Sequence, residues 1–140
     1  MDINNQTVPE DLYYDKNDWW VKLDGELAII GMTEYGQKNT GDILYLELVE
    51  PGYSIQCGEK LGSIESGKWV GNLISPLTGV IEESNYEVEK KPRQVNLDAY
   101  GKGWMYKLLL NDPGEVRLLM TAQEYAEWIA EQAKCELEMG

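Results

Sequence analysis

Between residues 19 and 110 the apolar positions fall in short β-prone runs, at 19–23, 27–32, 43–48, 60–64, 70–74, 79–83 and 104–110. Turn residues separate them: Asp24-Gly25, Thr40-Gly41-Asp42, Pro51-Gly52, Gly58-Glu59, Ser66-Gly67 and Pro76-Leu77-Thr78-Gly79. Crossover helices of βαβ units need a dozen or more residues, and these gaps leave no room for them. The spacing predicts a mainly β chain, a sandwich or barrel of short strands.

Three helical pieces flank this pattern. Residues 33–39 read as a single turn capped by Thr33. Asp112-Pro113-Gly114-Glu115 places a cap residue, a proline at the first helical position and a glutamate at the third, predicting a short helix over 113–120. Thr121-Ala122-Gln123-Glu124 is a second capping box. Tyr125, Trp128, Ile129 and Ala133 then recur at helical spacing, which predicts a C-terminal amphipathic helix laid on the β core. Residues 1–11 and the acidic tail after Cys135 are expected to be loose.

Composition narrows the function. At 140 residues and 15.9 kDa the chain is read as one domain, 1–140. Its net charge of −13 repels a phosphate backbone, so nucleic acid is not an expected partner. No apolar run approaches the length of a membrane span, and Met1-Asp2-Ile3-Asn4-Asn5 has no basic segment or apolar core of a secretory signal, so a cytoplasmic protein is expected. There is no histidine. Ser-His and Cys-His nucleophile pairs, an imidazole base and His-containing metal sets are therefore excluded. Cys57 and Cys135 have no Cys-x-x-Cys spacing and are read as lone thiols, so no metal site is assigned.

One segment carries chemistry. In 62–70 a strand, a tight turn and a second strand place Lys68 near a hairpin tip, preceded by Glu65-Ser66 and followed by the turn at Pro76. A lysine at a strand end commonly serves solubility alone. Around it, however, the sequence resembles the lipoyl and biotinyl carrier folds, and most closely the H proteins of the glycine cleavage system. The resemblance runs through Trp20-Val21, Gly25, Gly31, Thr33, Tyr35, Gly41-Asp42-Ile43, Gly58-Glu59, Gly62, Glu65-Ser66, Lys68, Pro76 and Gly79, then Val95-Asn96, Gly103-Trp104, Asp112-Pro113 and Glu124-Tyr125, covering about residues 8–130. It implies a barrel-sandwich hybrid of lipoyl-domain type, and a lipoyl group in amide linkage to Lys68. Such a protein is a substrate of enzymes and not itself an enzyme. Acylation removes the ammonium charge and lengthens a flexible stem into a swinging arm. Glu65, Ser66, Gly67 and Trp69 are then candidates for ligase recognition or for shaping the turn, Gly67 by giving the backbone freedom and leaving room for a lipoate-protein ligase.

Two positions depart from the H proteins. That family carries carboxylates directly before its Trp-Val pair and four residues after its lysine, where they face a cationic aminomethyl group. The corresponding residues here are Trp19 and Asn72, with Asp18 one residue away from the first. The turn Gly67-Lys68-Trp69-Val70-Gly71 instead looks like the H-like lipoate-binding proteins of sulfur oxidation, whose arm carries no amine cation. Sulfur oxidation, served by a heterodisulfide-reductase-like complex, is the leading expectation. The alternatives are glycine cleavage, with glycine dehydrogenase, aminomethyltransferase and dihydrolipoyl dehydrogenase as partners, and an unmodified H-like adaptor.

Overall fold

The structure, a computed structural model, describes the backbone of residues 2–3 and 6–139, with side chains up to residue 134. Its strands are β1 (Asp2–Ile3), β2 (Gln6–Thr7), β3 (Tyr13–Tyr14), β4 (Trp19–Asp24), β5 (Leu27–Met32), β6 (Ile43–Glu47), β7 (Ser54–Ile55), β8 (Lys60–Ser66), β9 (Val70–Ile74), β10 (Gly79–Ser84) and β11 (Trp104–Leu110). The α-helices are α1 (Glu34–Thr40), α2 (Tyr86–Lys90), α3 (Arg93–Leu97) and α4 (Ala122–Met139), with a 3₁₀ helix at Pro113–Leu118. The fold is mainly β, as the run spacing requires. One sheet runs β3-β4-β5-β11-β10-β7 and a smaller one runs β6-β8-β9, antiparallel throughout.

The period of two along the strands sorts side chains between two cores. Trp19 and Val21 of β4, with Ala28, Ile30 and Met32 of β5, face the smaller sheet and its Ile43, Leu46, Leu61, Ile64 and Leu73. Trp20 points the other way, into a second core with Val8, Leu12, Tyr14, Tyr35, Tyr125 and Ile129. That second core is largely aromatic. Tyr125 stacks on Tyr14 at 4.5 Å and on Trp128 at 5.7 Å between ring centroids.

The helix caps match their expectations. Thr33 Oγ1 accepts from the Gly36 N–H, and Asp112 accepts from the Gly114 N–H. Thr121 and Glu124 form the reciprocal box, at 2.9 and 3.2 Å. The segment after Asp112 is 3₁₀ and ends at Leu118, two residues short of the expected helix.

Four expectations change. Residues 1–11 are not loose: β1 pairs with β2, Val8 is buried, and the Thr7 N–H donates to Glu34 Oε2. The helix does not stop at Cys135 but continues to Met139, because Glu136-Leu137-Glu138-Met139 are strong helix formers that extend the register. Helices α2 and α3 interrupt the β pattern unannounced, each anchored by one buried residue, Val88 or Val95, which is too little for periodicity to reveal. Cys57 is a free, exposed thiol, while the Cys135 side chain lies outside the described residues.

Gly62 fixes the seam between the cores' strands. Its φ is +104°, and a Cβ there would sit 2.3 Å from the Glu47 carbonyl oxygen. Gly62→Ala is expected to destabilise the fold by about 3 kcal/mol, from left-handed strain together with a backbone clash. Urea unfolding of the variant checks this, and an unchanged midpoint would refute it.

Candidate functional site

The hairpin joining β8 to β9 rests on the C-terminal end of α1. Ser66 closes the turn through its N–H to the Trp69 carbonyl at 2.8 Å. Its buried hydroxyl donates to the Thr40 carbonyl at 2.5 Å and accepts from the Lys68 N–H at 3.3 Å. Thr40 and Gly41 are held in turn by Asn96, whose amide donates to the Gly41 carbonyl at 3.0 Å and to Gln37 Oε1 at 2.8 Å, and whose Oδ1 accepts from the Ile43 N–H at 2.9 Å. A rigid base thus carries an exposed lysine. The Lys68 stem crosses Gly41, where a Cβ would meet its Cε at 3.0 Å, and its ammonium donates to the Lys38 carbonyl at 3.4 Å. Carbonyls at a helix C-terminus favour a cation.

A groove of about 420 Å³ leads away from Lys68, between the β8–β9 hairpin, α1 and the loop before β4. Met32, Trp69 and Leu73 give it apolar wall; Asp18, Asn39 and Asn72 give it polar wall. This combination suits an aliphatic chain with a polar end.

Each predicted residue has a definite place. Lys68, Trp69 and Asn72 line the groove together. Trp69 folds back across Gly71, where a Cβ would overlap its ring at 2.4 Å, and stays 45% exposed. Ser66 is a structural link in the turn. Glu65 stands on the opposite, outer face of the small sheet, paired across strands with Tyr45 and Val70. Gly67 does not have a positive φ and a Cβ there would meet open space, so backbone freedom is not its role; room for an approaching molecule is.

Trp19 is corrected. It is 3% exposed, faces the main core and donates its indole N–H to the Ile74 carbonyl at 2.7 Å, so it touches the groove only with an edge. The carboxylate at this end is Asp18. Its backbone takes the left-handed region at φ 67°, and its Oδ1 accepts from the Tyr125 hydroxyl at 2.8 Å. Tyr125 also shares a 2.7 Å bond with Thr33 Oγ1, which ties the groove to α1 and α4. Among the described residues no cation forms an ion pair with Asp18. Burial raises its carboxyl to a pKa of about 6, and burial does the same to Asp15, despite the Trp19 and Asn17 N–H groups donating to the latter. Sequence reasoning noticed Asp18 only as a neighbour; Asn96 and Thr40 carried no chemical signal.

Comparison with known proteins agrees with this geometry. The family model described as "Glycine cleavage H-protein" matches residues 12–132. A glycine cleavage system H protein of Carboxydothermus hydrogenoformans is 39% identical over 91% of this chain and 98% of its own length. One of Staphylococcus saprophyticus is 44% identical over 89% of this chain and 98% of its own. The crystal structure of a glycine cleavage system H protein from Mycobacterium marinum superposes with a TM-score of 0.80 at 32% identity, covering 88% of this chain and 99% of that one.

The two raised carboxyls make stability depend on pH. Both bind protons more tightly folded than unfolded, so their contribution grows as pH falls through about 6 toward the ordinary carboxylate range, and is lost as pH rises again. The melting temperature is expected to be higher at about pH 5.5 than at about pH 7.5. Asp15→Asn with Asp18→Asn should raise the value at the higher pH and narrow the difference. Melting curves at both pH values check this; an unaltered pH profile in the double variant would contradict it.

Proposed function

Because this chain belongs to the glycine cleavage H-protein family, we propose that it carries an aminomethyl group on a lipoyl arm attached at Lys68. Members of this family are lipoyl carriers and not enzymes, and they hold lipoate covalently on a lysine. On this reading glycine dehydrogenase and aminomethyltransferase load and unload the cargo, dihydrolipoyl dehydrogenase restores the oxidised arm, and a lipoate ligase attaches it. The setting proposed is cytoplasmic; among the described residues no helix is long and apolar enough to cross a membrane.

When bound, lipoate supplies a strained disulfide that accepts an electron pair and a carbon fragment. The chain's own residues do the rest. The turn fixed by Ser66 and Thr40 aims Lys68 at the groove, whose wall of Met32, Trp69 and Leu73 suits the acyl chain. The observation that carries the aminomethyl reading is the Asp18 carboxylate on the groove, unpaired with any cation among the described residues and anchored by Tyr125. An amine cation seated there gains a charge-assisted partner out of bulk water. The expectation of sulfur oxidation, with its heterodisulfide-reductase-like complex, rested on carboxylates missing at Trp19 and Asn72. Asp18 supplies one of them from the neighbouring position, and the relatives that cover nearly the whole chain are glycine cleavage system H proteins.

Two measurements test this. After incubation with lipoate ligase, intact mass should rise by one lipoyl group in the wild type and not in Lys68→Ala; a modified Lys68→Ala protein would overturn the attachment site. In a reconstituted glycine cleavage assay near pH 7.5, lipoylated Asp18→Asn should turn over about tenfold more slowly, the size of one lost charge-assisted contact, and Asn72→Asp should turn over faster. A wild-type protein that is lipoylated but inactive in that assay would sink the aminomethyl reading.

A further inference from the structure

The small sheet has an outer face that the groove does not use. Strand β6 carries a bulge: Ile43 pairs with Ser66 and Tyr45 with Glu65, leaving Leu44 as the extra residue. The bulge turns two successive apolar side chains outward, Leu44 at 50% and Tyr45 at 67% exposure, between the buried Ile43 and Leu46. Across the sheet, Tyr45, Glu65 and Val70 form one row, and Val70 is 70% exposed. Glu47 occupies the next row, opposite Ser63. These residues line a shallow depression of about 380 Å³ that begins at the base of the Lys68 hairpin. The ion pairs of the described residues join Lys90 to Glu87, Arg93 to Asp42 and Lys107 to Glu83, so Glu47 and Glu65 are neutralised by none of them. Contiguous exposed apolar side chains on a soluble chain mark a contact surface, and bulges of this kind re-aim side chains next to sites.

We propose that this face, Leu44, Tyr45 and Val70 around Glu65, is the docking surface for the ligase that acylates Lys68, and that the ligase meets it with an apolar patch and a basic side chain opposite Glu65. The proposal rests on the reading of Lys68 as the lipoyl site. Reach selects the ligase over other occupants. Before acylation only a four-carbon stem separates the amine from the turn, so an enzyme that takes in that amine must touch the residues flanking the hairpin. Enzymes that read the finished arm are met by the stem plus an acyl chain and are free to bind farther off. A second copy of a chain with net charge −13 is repelled, whereas a basic partner is attracted. In the reaction served, the unprotonated Nζ attacks the carbonyl of an acyl adenylate, the amide C–N bond forms, the bond to the adenylate breaks, and the nitrogen gives up one proton.

The test uses the full unmodified chain with a lipoate ligase, lipoate and Mg-ATP, reading kcat/KM for acylation by intact mass. Tyr45→Ser with Val70→Ser should lower it at least tenfold, as loss of a buried interface anchor does. Glu65→Gln should lower it and flatten its salt dependence, and Glu65→Lys should lower it further. Leu109→Ser, an exposed apolar residue on the other sheet, should leave it unchanged. Variants driven to full loading by excess ligase should be reduced by dihydrolipoyl dehydrogenase at the wild-type rate. Wild-type acylation of both the double variant and Glu65→Lys would overturn the proposal, and the charge variants decide it alone if the double variant does not fold. A matching fall in arm reduction would assign the face to the redox partner instead, and a wild-type dimer in sedimentation that the double variant loses would assign it to a second copy; either overturns the proposal. A wild type and Leu109→Ser that both stay unmodified would show that the carrier reading itself has failed.

Discussion

Everything that Lys68 can do depends on how the turn beneath it is held. A carrier lysine must be flexible along its stem and fixed at its root, and a hairpin tip alone gives only the first. The Ser66 hydroxyl supplies the second by joining the turn to the Thr40 carbonyl at the end of α1. Such a bond has a modest net value, about 1 kcal/mol, but losing it leaves a buried carbonyl and a buried hydroxyl unpaired. Asn96 extends the constraint, since its one amide group holds Gln37, Gly41 and Ile43 at once. The hairpin, α1, α3 and the start of β6 therefore form one rigid mount.

The electrostatics of the groove follow from that mount and from the two-sided β4 strand. Trp19 and Trp20 go to opposite faces because side chains alternate, and each indole finds a carbonyl, Ile74 for Trp19 and Ala99 for Trp20. With both tryptophans committed to cores, the chain just before them must turn sharply, and Asp18 adopts a positive φ there. Aspartate tolerates that backbone better than most residues. The turn presents its carboxylate to the groove, where Tyr125 of the aromatic core reaches it. A strongly acidic chain thus keeps one carboxylate half-withdrawn from water at the place where a cation would rest.

The small sheet works on both sides. Its inner face closes the main core with Leu46, Leu61, Ile64 and Leu73. Its outer face is freed by the β6 bulge, which breaks the inward-outward alternation at Leu44 without disturbing the buried residues on either side. The lysine turn is consequently flanked by a groove on one side and an open apolar and acidic face on the other. One short hairpin separates where an arm would rest from where a partner would bind.

Periodicity and turn chemistry by themselves determined the seven long strands, the Thr33, Asp112 and Thr121 caps and the stripe of α4, because these depend on neighbours within a few residues along the chain. The same local logic marked Lys68 as an exposed amine at a hairpin tip, and the wider resemblance marked it as a carrier lysine. Local pattern was silent where a single long-range contact decides the outcome. Helices α2 and α3 are held by one buried valine each, the N-terminal residues are held by pairing and by Glu34, and Asn96 acts on groups more than fifty residues away in sequence. The identity of the groove carboxylate was decided the same way. Position-by-position matching puts Trp19 where a charge is expected, but only the folded chain shows that burying two adjacent indoles on opposite faces moves the charge to Asp18.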